Sequence, residues 1–145
     1  MKRSWILLLA LAAAGIVASV GSARGAHSTP RSGALHVTKE CSDYHGQAGE
    51  FCTITSSNIE QIKPDMRVVY HQAMTPAGLD SDLVLSAVQG SSAAYGHVVL
   101  NSTTSHITFS GGTGKFSGFH ADATVSQDSK GLWHWDGTYS FTPND

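Results

Sequence analysis

Two stretches of polar–apolar alternation, joined by a glycine-rich corner, constrain this chain more than any other feature. Ile107 and Phe109 alternate with Thr108 and Ser110. Beyond the corner, Phe119, Ala121, Ala123 and Val125 alternate with His120, Asp122, Thr124 and Ser126. A period of two buries one face of a strand and solvates the other, which is the pattern of an antiparallel sheet. The corner itself contains Gly111, Gly112, Gly114 and Gly118. It reads as a strand-to-strand turn, and the rest of the chain as more strands of the same sheet.

Runs rich in β-branched and aromatic residues occupy positions 34–39, 50–56, 66–72, 82–88 and 95–100. A sixth begins at His106, a seventh at Phe119, and the eighth covers 132–141. Segments 41–49 and 73–81 read as loops, and 57–64 has room for one helical turn, too short for a helical layer. Eight short strands at nearly regular spacing predict a sandwich or a barrel. Connections at 90–92, 101–105 and 128–131 are of hairpin length, and consecutive hairpins favour a meander. Eight meandering strands can close and so remove their own edges. The expected fold is therefore all-β: an eight-stranded antiparallel up-and-down barrel over residues 34–145, behind a flexible polar lead-in at 24–33. A turn at 128–131 would set His134 opposite Thr124, and Asp122 opposite Asp136.

Residues 1–23 follow another pattern. Lys2 and Arg3 precede an apolar run from Trp5 to Val20, which exits through Gly21, Ser22 and Ala23. A basic start, an apolar middle and a small-residue exit make a secretory signal peptide. The competing reading is a membrane anchor, but the run is short of the roughly 20 apolar residues that a spanning helix needs. Cleavage after Ala23 is expected, giving a secreted or periplasmic protein with no stable membrane insertion. Loss of Lys2 and Arg3 would take the net charge from −2 to −4. A mildly acidic chain without a basic run excludes nucleic acid as a partner. The two cysteines, Cys41 and Cys52, fit export and read as a disulfide. Their spacing suits neither a zinc site nor a Cys-x-x-Cys redox couple.

The run Ile107-Thr-Phe-Ser-Gly-Gly-Thr-Gly-Lys-Phe-Ser-Gly-Phe-His-Ala resembles the Gly-Gly-[Thr/Ser]-Gly-x-Phe-x-Gly segment of allene oxide cyclases and dirigent proteins. Gly49-Glu50-Phe51 and Val68-Val69-Tyr70 look like earlier landmarks of that superfamily. The Phe-Cys-Thr-Ile-Thr segment at Phe51 and the run from Trp133 to Phe141 are similar to a group of exported, mostly bacterial proteins with an allene-oxide-cyclase-like barrel. The resemblance covers residues 35–141. It implies an eight-stranded barrel with an apolar lumen. In the cyclases the lumen shapes an unstable fatty-acid epoxide for cyclisation, and in dirigent proteins it steers radical coupling of phenols. The cyclases' polar cluster is a Glu and an Asn followed by a Ser-Pro pair. The comparable stretch here, residues 35–46, has neither the Ser-Pro pair nor a matching Asn, so no catalytic residue is assigned. Related barrels assemble as dimers or trimers, which makes a homo-oligomer compatible with the resemblance.

The lumen candidates are Tyr70, Phe109, Phe119, Trp133, Trp135 and Tyr139. The last run is the most polarised, with Trp133, Trp135, Tyr139 and Phe141 on one face and His134, Asp136, Thr138 and Ser140 on the other. An inward aromatic row either lines a pocket for an apolar ligand or fills the lumen, which eight strands make just wide enough for side chains. Tyr70 and Tyr139 would be hydroxyl anchors, and a lumenal Gly137 would leave room beside the rings. Of eight histidines, His71, His97, His106, His120 and His134 fall on predicted strands. Imidazole and carboxylate on adjacent strands can bind zinc, but alternation places these on the solvated face. Neither metal nor cofactor is expected. The glycine corner lacks the Lys-Ser/Thr ending and the following helix of a phosphate-binding loop. The leading expectation is an exported barrel holding a small hydrophobic molecule, with cyclase- or isomerase-like chemistry implied by the resemblance. The alternative is a non-catalytic extracytoplasmic structural or interaction protein with a filled barrel.

Overall fold

Alternation along each strand becomes inside and outside of one closed sheet. The computed structural model describes residues 31–142; the expected signal peptide and most of the lead-in lie outside them. The strands are β1 (Ser32–Glu40), β2 (Phe51–Ser57), β3 (Arg67–Tyr70), β4 (Leu79–Ser86), β5 (Ala93–Leu100), β6 (Ser105–Gly112), β7 (Phe119–Gln127) and β8 (Trp133–Phe141). Each pairs antiparallel with the next, and β8 returns to β1, so the expected up-and-down barrel is the observed fold. Closure runs from Ser32 opposite Ser140 to Lys39 opposite Trp133. It leaves no sheet edge open.

The two ends of the barrel differ. At one end, Ile59, Ile62 and Met66 are buried from the segment between β2 and β3, which forms turns rather than a helical turn. Phe116 joins them from the glycine corner, where a single 3-10 turn (Gly114–Phe116) swings its ring into the core. That turn needs Gly114 at φ +58 and Gly118 at φ +71, a region costly for other residues. From this sealed end a line of rings climbs the lumen. Phe119 lies 5.1 Å from Phe141, 5.6 Å from Phe116 and 5.4 Å from Phe109, and Phe109 is 5.5 Å from Trp135. Tilted pairs at these separations suit the ring quadrupoles.

Strand β3 ends at Tyr70, so His71 lies just beyond the strand on which it was expected, and three further details depart from expectation. Strand β4 begins at Leu79, within the segment read as loop. Buried Ser81 is the reason: its hydroxyl accepts from the N–H groups of His71 and Gln72 (3.1 and 3.0 Å), standing in for the ladder where β3 has already ended. The β7–β8 register is also shifted, so that His134 faces Ser126 and Asp122 faces Thr138. Asp128 causes this. Its Oδ1 accepts from the backbone of Lys130 and Leu132, and its own N–H donates to Leu132, drawing that residue into the turn. Finally, Gly137 does not open space. A methyl group built there would meet the Asp122 carbonyl at 2.0 Å and the Ala123 Cα at 2.6 Å.

Gly137→Ala should therefore cost about 3 kcal/mol, from overpacking against backbone that cannot give way. Gly90→Ala, which meets only the Ala87 methyl at 3.5 Å, should change stability by less than about 0.5 kcal/mol. Urea denaturation of the two variants tests the difference.

Candidate functional site

In β1, Leu35, Val37 and Lys39 share the inward face. The same alternation that buries two aliphatic side chains buries a lysine, which is only 4% exposed. Its Nζ donates to the Tyr70 hydroxyl at 2.9 Å and lies 3.5 and 3.6 Å from the sulfurs of Cys41 and Cys52. Those cysteines form the expected disulfide, which ties the segment after β1 to β2. Three rings surround the nitrogen, with centroids at 5.2 Å (Trp133), 5.6 Å (Tyr70) and 5.9 Å (Trp135). Such faces attract a cation. Among the described residues no carboxylate pairs with Lys39. The adjacent Glu40 instead accepts from the backbone and hydroxyl of Ser42 (2.9 and 2.6 Å).

Lys39 lines a pocket of about 460 Å³ at the barrel end opposite the glycine corner. Its walls come from strand ends: Tyr70 from β3, Leu79 from β4, Leu100 from β5, Gln127 from β7 and Trp133 from β8. Tyr44 and Met74 close it from the loops. The ring of Tyr44 lies 4.8 Å from that of Tyr70, tilted by 48°, and its buried hydroxyl has no hydrogen-bond partner. Loop 41–49 is held in place by Glu50, whose carboxylate accepts from the backbone of His45 (2.6 Å) and Gln47 (2.9 Å). These hydrogen bonds, that from Gln47 foremost, hold its pKa below the usual carboxylate value.

Burial governs the chemistry of the centre. Desolvation draws the Lys39 ammonium down from 10.5 to about 7, because a charge far from water is disfavoured. It also raises the Tyr70 phenol well above its ordinary value, with nearby Tyr44 adding to the effect. At neutral pH the pocket thus offers an amine that both gains and loses a proton, beside a phenol that keeps its own. The arrangement can donate hydrogen bonds to an oxygen, take up a proton, or act as a nucleophile.

The lumen candidates divide into two groups. Tyr70 and Trp133 line the pocket, whereas Phe109, Phe119 and Trp135 belong to the packed line of rings beneath it. Tyr139 lies farther down, 6.0 Å from Phe141. Sequence reasoning missed Lys39, Tyr44 and Met74. The available signal for Lys39 was its phase, in step with Leu35 and Val37. The outer-face histidines form separate pairs with carboxylates: His36 with Asp136 (2.7 Å), His106 with Asp122 (3.2 Å) and His134 with Asp128 (2.9 Å). His97 bridges Asp80 and Asp82 through opposite ring nitrogens (2.8 and 2.9 Å). Among the described residues no group of three or more such side chains is arranged to hold a metal ion.

The lowered pKa of Lys39 sets a pH dependence. Between about 7 and 10.5 the unfolded chain binds a proton that the folded chain does not, so stability rises with pH through that window. Relative to Lys39→Met, the wild-type protein should gain about 2–3 kcal/mol between pH 6.5 and pH 9. Urea titrations of both proteins at the two pH values would show it, and parallel curves would refute it. Comparison with known proteins adds no assignment: no family model matches the chain, and no curated protein or solved structure matches it significantly.

Proposed function

We propose that this protein is an exported barrel that binds a small molecule with an apolar body at its open end, with Lys39 and Tyr70 as the polar anchor. The observation that carries the reading is a pocket of about 460 Å³ with aromatic and aliphatic walls, at whose wall a buried lysine has no counter-ion. Small-molecule sites are of this size and composition, mostly apolar with a few placed polar groups. A buried charge without a partner is a cost to the fold, and a ligand oxygen would offset it. The orphaned Tyr44 hydroxyl supplies a further donor on the same wall. Among the described residues no helix is long and apolar enough to cross a membrane. The disulfide is of the kind that persists outside the cytoplasm. The leader-like pattern of residues 1–23 supports export in the same sense. By resemblance, the barrel is of the allene oxide cyclase and dirigent type, and cyclase- or isomerase-like chemistry would come from confining one reactive conformer.

A second reading, a non-catalytic barrel with a filled lumen, is favoured by the packed rings of Phe109, Phe119 and Trp135. Native mass spectrometry of the gently purified protein, with tryptophan fluorescence titration against lipids and phenols, separates the two. Under the leading reading a compound binds, and Trp133→Ala weakens binding about tenfold or more while the barrel stays folded. Phe109→Ala should instead lower stability by about 3–5 kcal/mol. A protein that stays empty against the whole panel would leave only the filled barrel.

A further inference from the structure

Lys39 and Ser81 are the only buried polar residues among those described. Ser81 is fully occupied by backbone groups. The use of Lys39 is not explained by packing, since an apolar side chain of similar length would fill the space without the desolvation cost. Its surroundings are also specific. The nitrogen is oriented by Tyr70 at 2.9 Å and walled by Trp133 and Trp135, and Lys39 lines a pocket with room for a ligand.

We propose that Lys39 captures a carbonyl compound, an aldehyde or ketone with an apolar tail, as a reversible Schiff base on Nζ. This rests on the ligand site proposed above and names the class of its ligand. The lone pair of Nζ attacks the carbonyl carbon, and the π pair moves to oxygen. A proton passes from nitrogen to that oxygen, giving a carbinolamine; its C–O bond then breaks, the oxygen leaves as water with the remaining N–H proton, and the nitrogen electron pair forms the C=N bond. No oxidant, reductant or co-reactant is required, and water reverses the step. Tyr70 accepts from Nζ, so its own hydrogen is left to donate to the carbonyl oxygen, and burial keeps that hydrogen in place. The shift of Lys39 towards the neutral amine supports the same direction. A neutral amine is nucleophilic and offers a carboxylate little. Glu40 and Lys130, the other charged residues of the pocket, line it with Lys39, and Glu40 is engaged by Ser42.

The test uses the purified protein with decanal and sodium cyanoborohydride at pH 7, read by intact mass and peptide mapping. In parallel, 1-decanol (the same tail without a carbonyl) is titrated by tryptophan fluorescence. The expected result is one decyl adduct on Lys39, suppressed by decanol, forming about tenfold or more faster than on exposed Lys63, Lys115 or Lys130. The reason is that burial favours the neutral, nucleophilic amine at Lys39. Tyr70→Phe should slow trapping about tenfold or more and leave decanol binding in place. Lys39→Arg should abolish the adduct. Decanol binding without an adduct on Lys39 would overturn the Schiff base and leave the ligand site standing. Failure of both probes would overturn both. Adducts spread evenly over surface lysines would equally refute the proposal, and because mapping is done on the unmutated chain, that result does not depend on any variant folding.

Discussion

Closure of β8 onto β1 is the constraint on which everything else in this molecule depends. Eight strands enclose a lumen about as wide as the side chains that point into it, so the interior has room for one column of large groups and little more. The chain fills that column from one end with Phe116, Phe119, Phe109 and Trp135, and the plugging isoleucines, Ile59 and Ile62, seal the same end. Whatever volume remains must lie at the opposite mouth. The pocket lined by Lys39 lies at that mouth.

Lysine usually reaches water from a buried stem by extending its head outwards. Here Tyr70, Trp133, Trp135 and the Cys41–Cys52 bridge surround the head instead. The bridge stabilises the barrel by about 3 kcal/mol in the chain-entropy picture, and it holds two sulfurs 3.5 and 3.6 Å from the nitrogen. Stability and reactivity are thus opposed at one residue. The environment that makes the charge costly to the folded state is also what favours the neutral amine.

The outer surface shows the contrasting case. Four strand histidines, His36, His97, His106 and His134, meet carboxylates in largely exposed pairs, and exposure leaves such pairs worth little. His97 is the most engaged, with its pKa raised first by Asp82 and then by Asp80. A raised imidazole favours folding at low pH and loses that contribution as pH climbs through its folded pKa. That trend runs opposite to the Lys39 trend.

Much of the fold was legible because its signals are local. Alternation in β7 and β8, hairpin-length connections and the absence of any long helical period require no knowledge of what lies across the barrel. Even the inward phase of Lys39 could be read beside Leu35 and Val37. The sequence alone therefore determined an all-β meander, its closure and the paired cysteines. Only the tertiary structure decided the rest, because each remaining feature depends on a specific contact, within a turn or across strands, that alternation does not encode. Ser81 extends β4 by serving His71 and Gln72, Asp128 shifts the last register by capping Leu132, and Gly137 is demanded by β7 passing too close for a side chain. Lys39 becomes a site for the same reason: residues from β3 and β8 remove the water that a lone strand would have left around it.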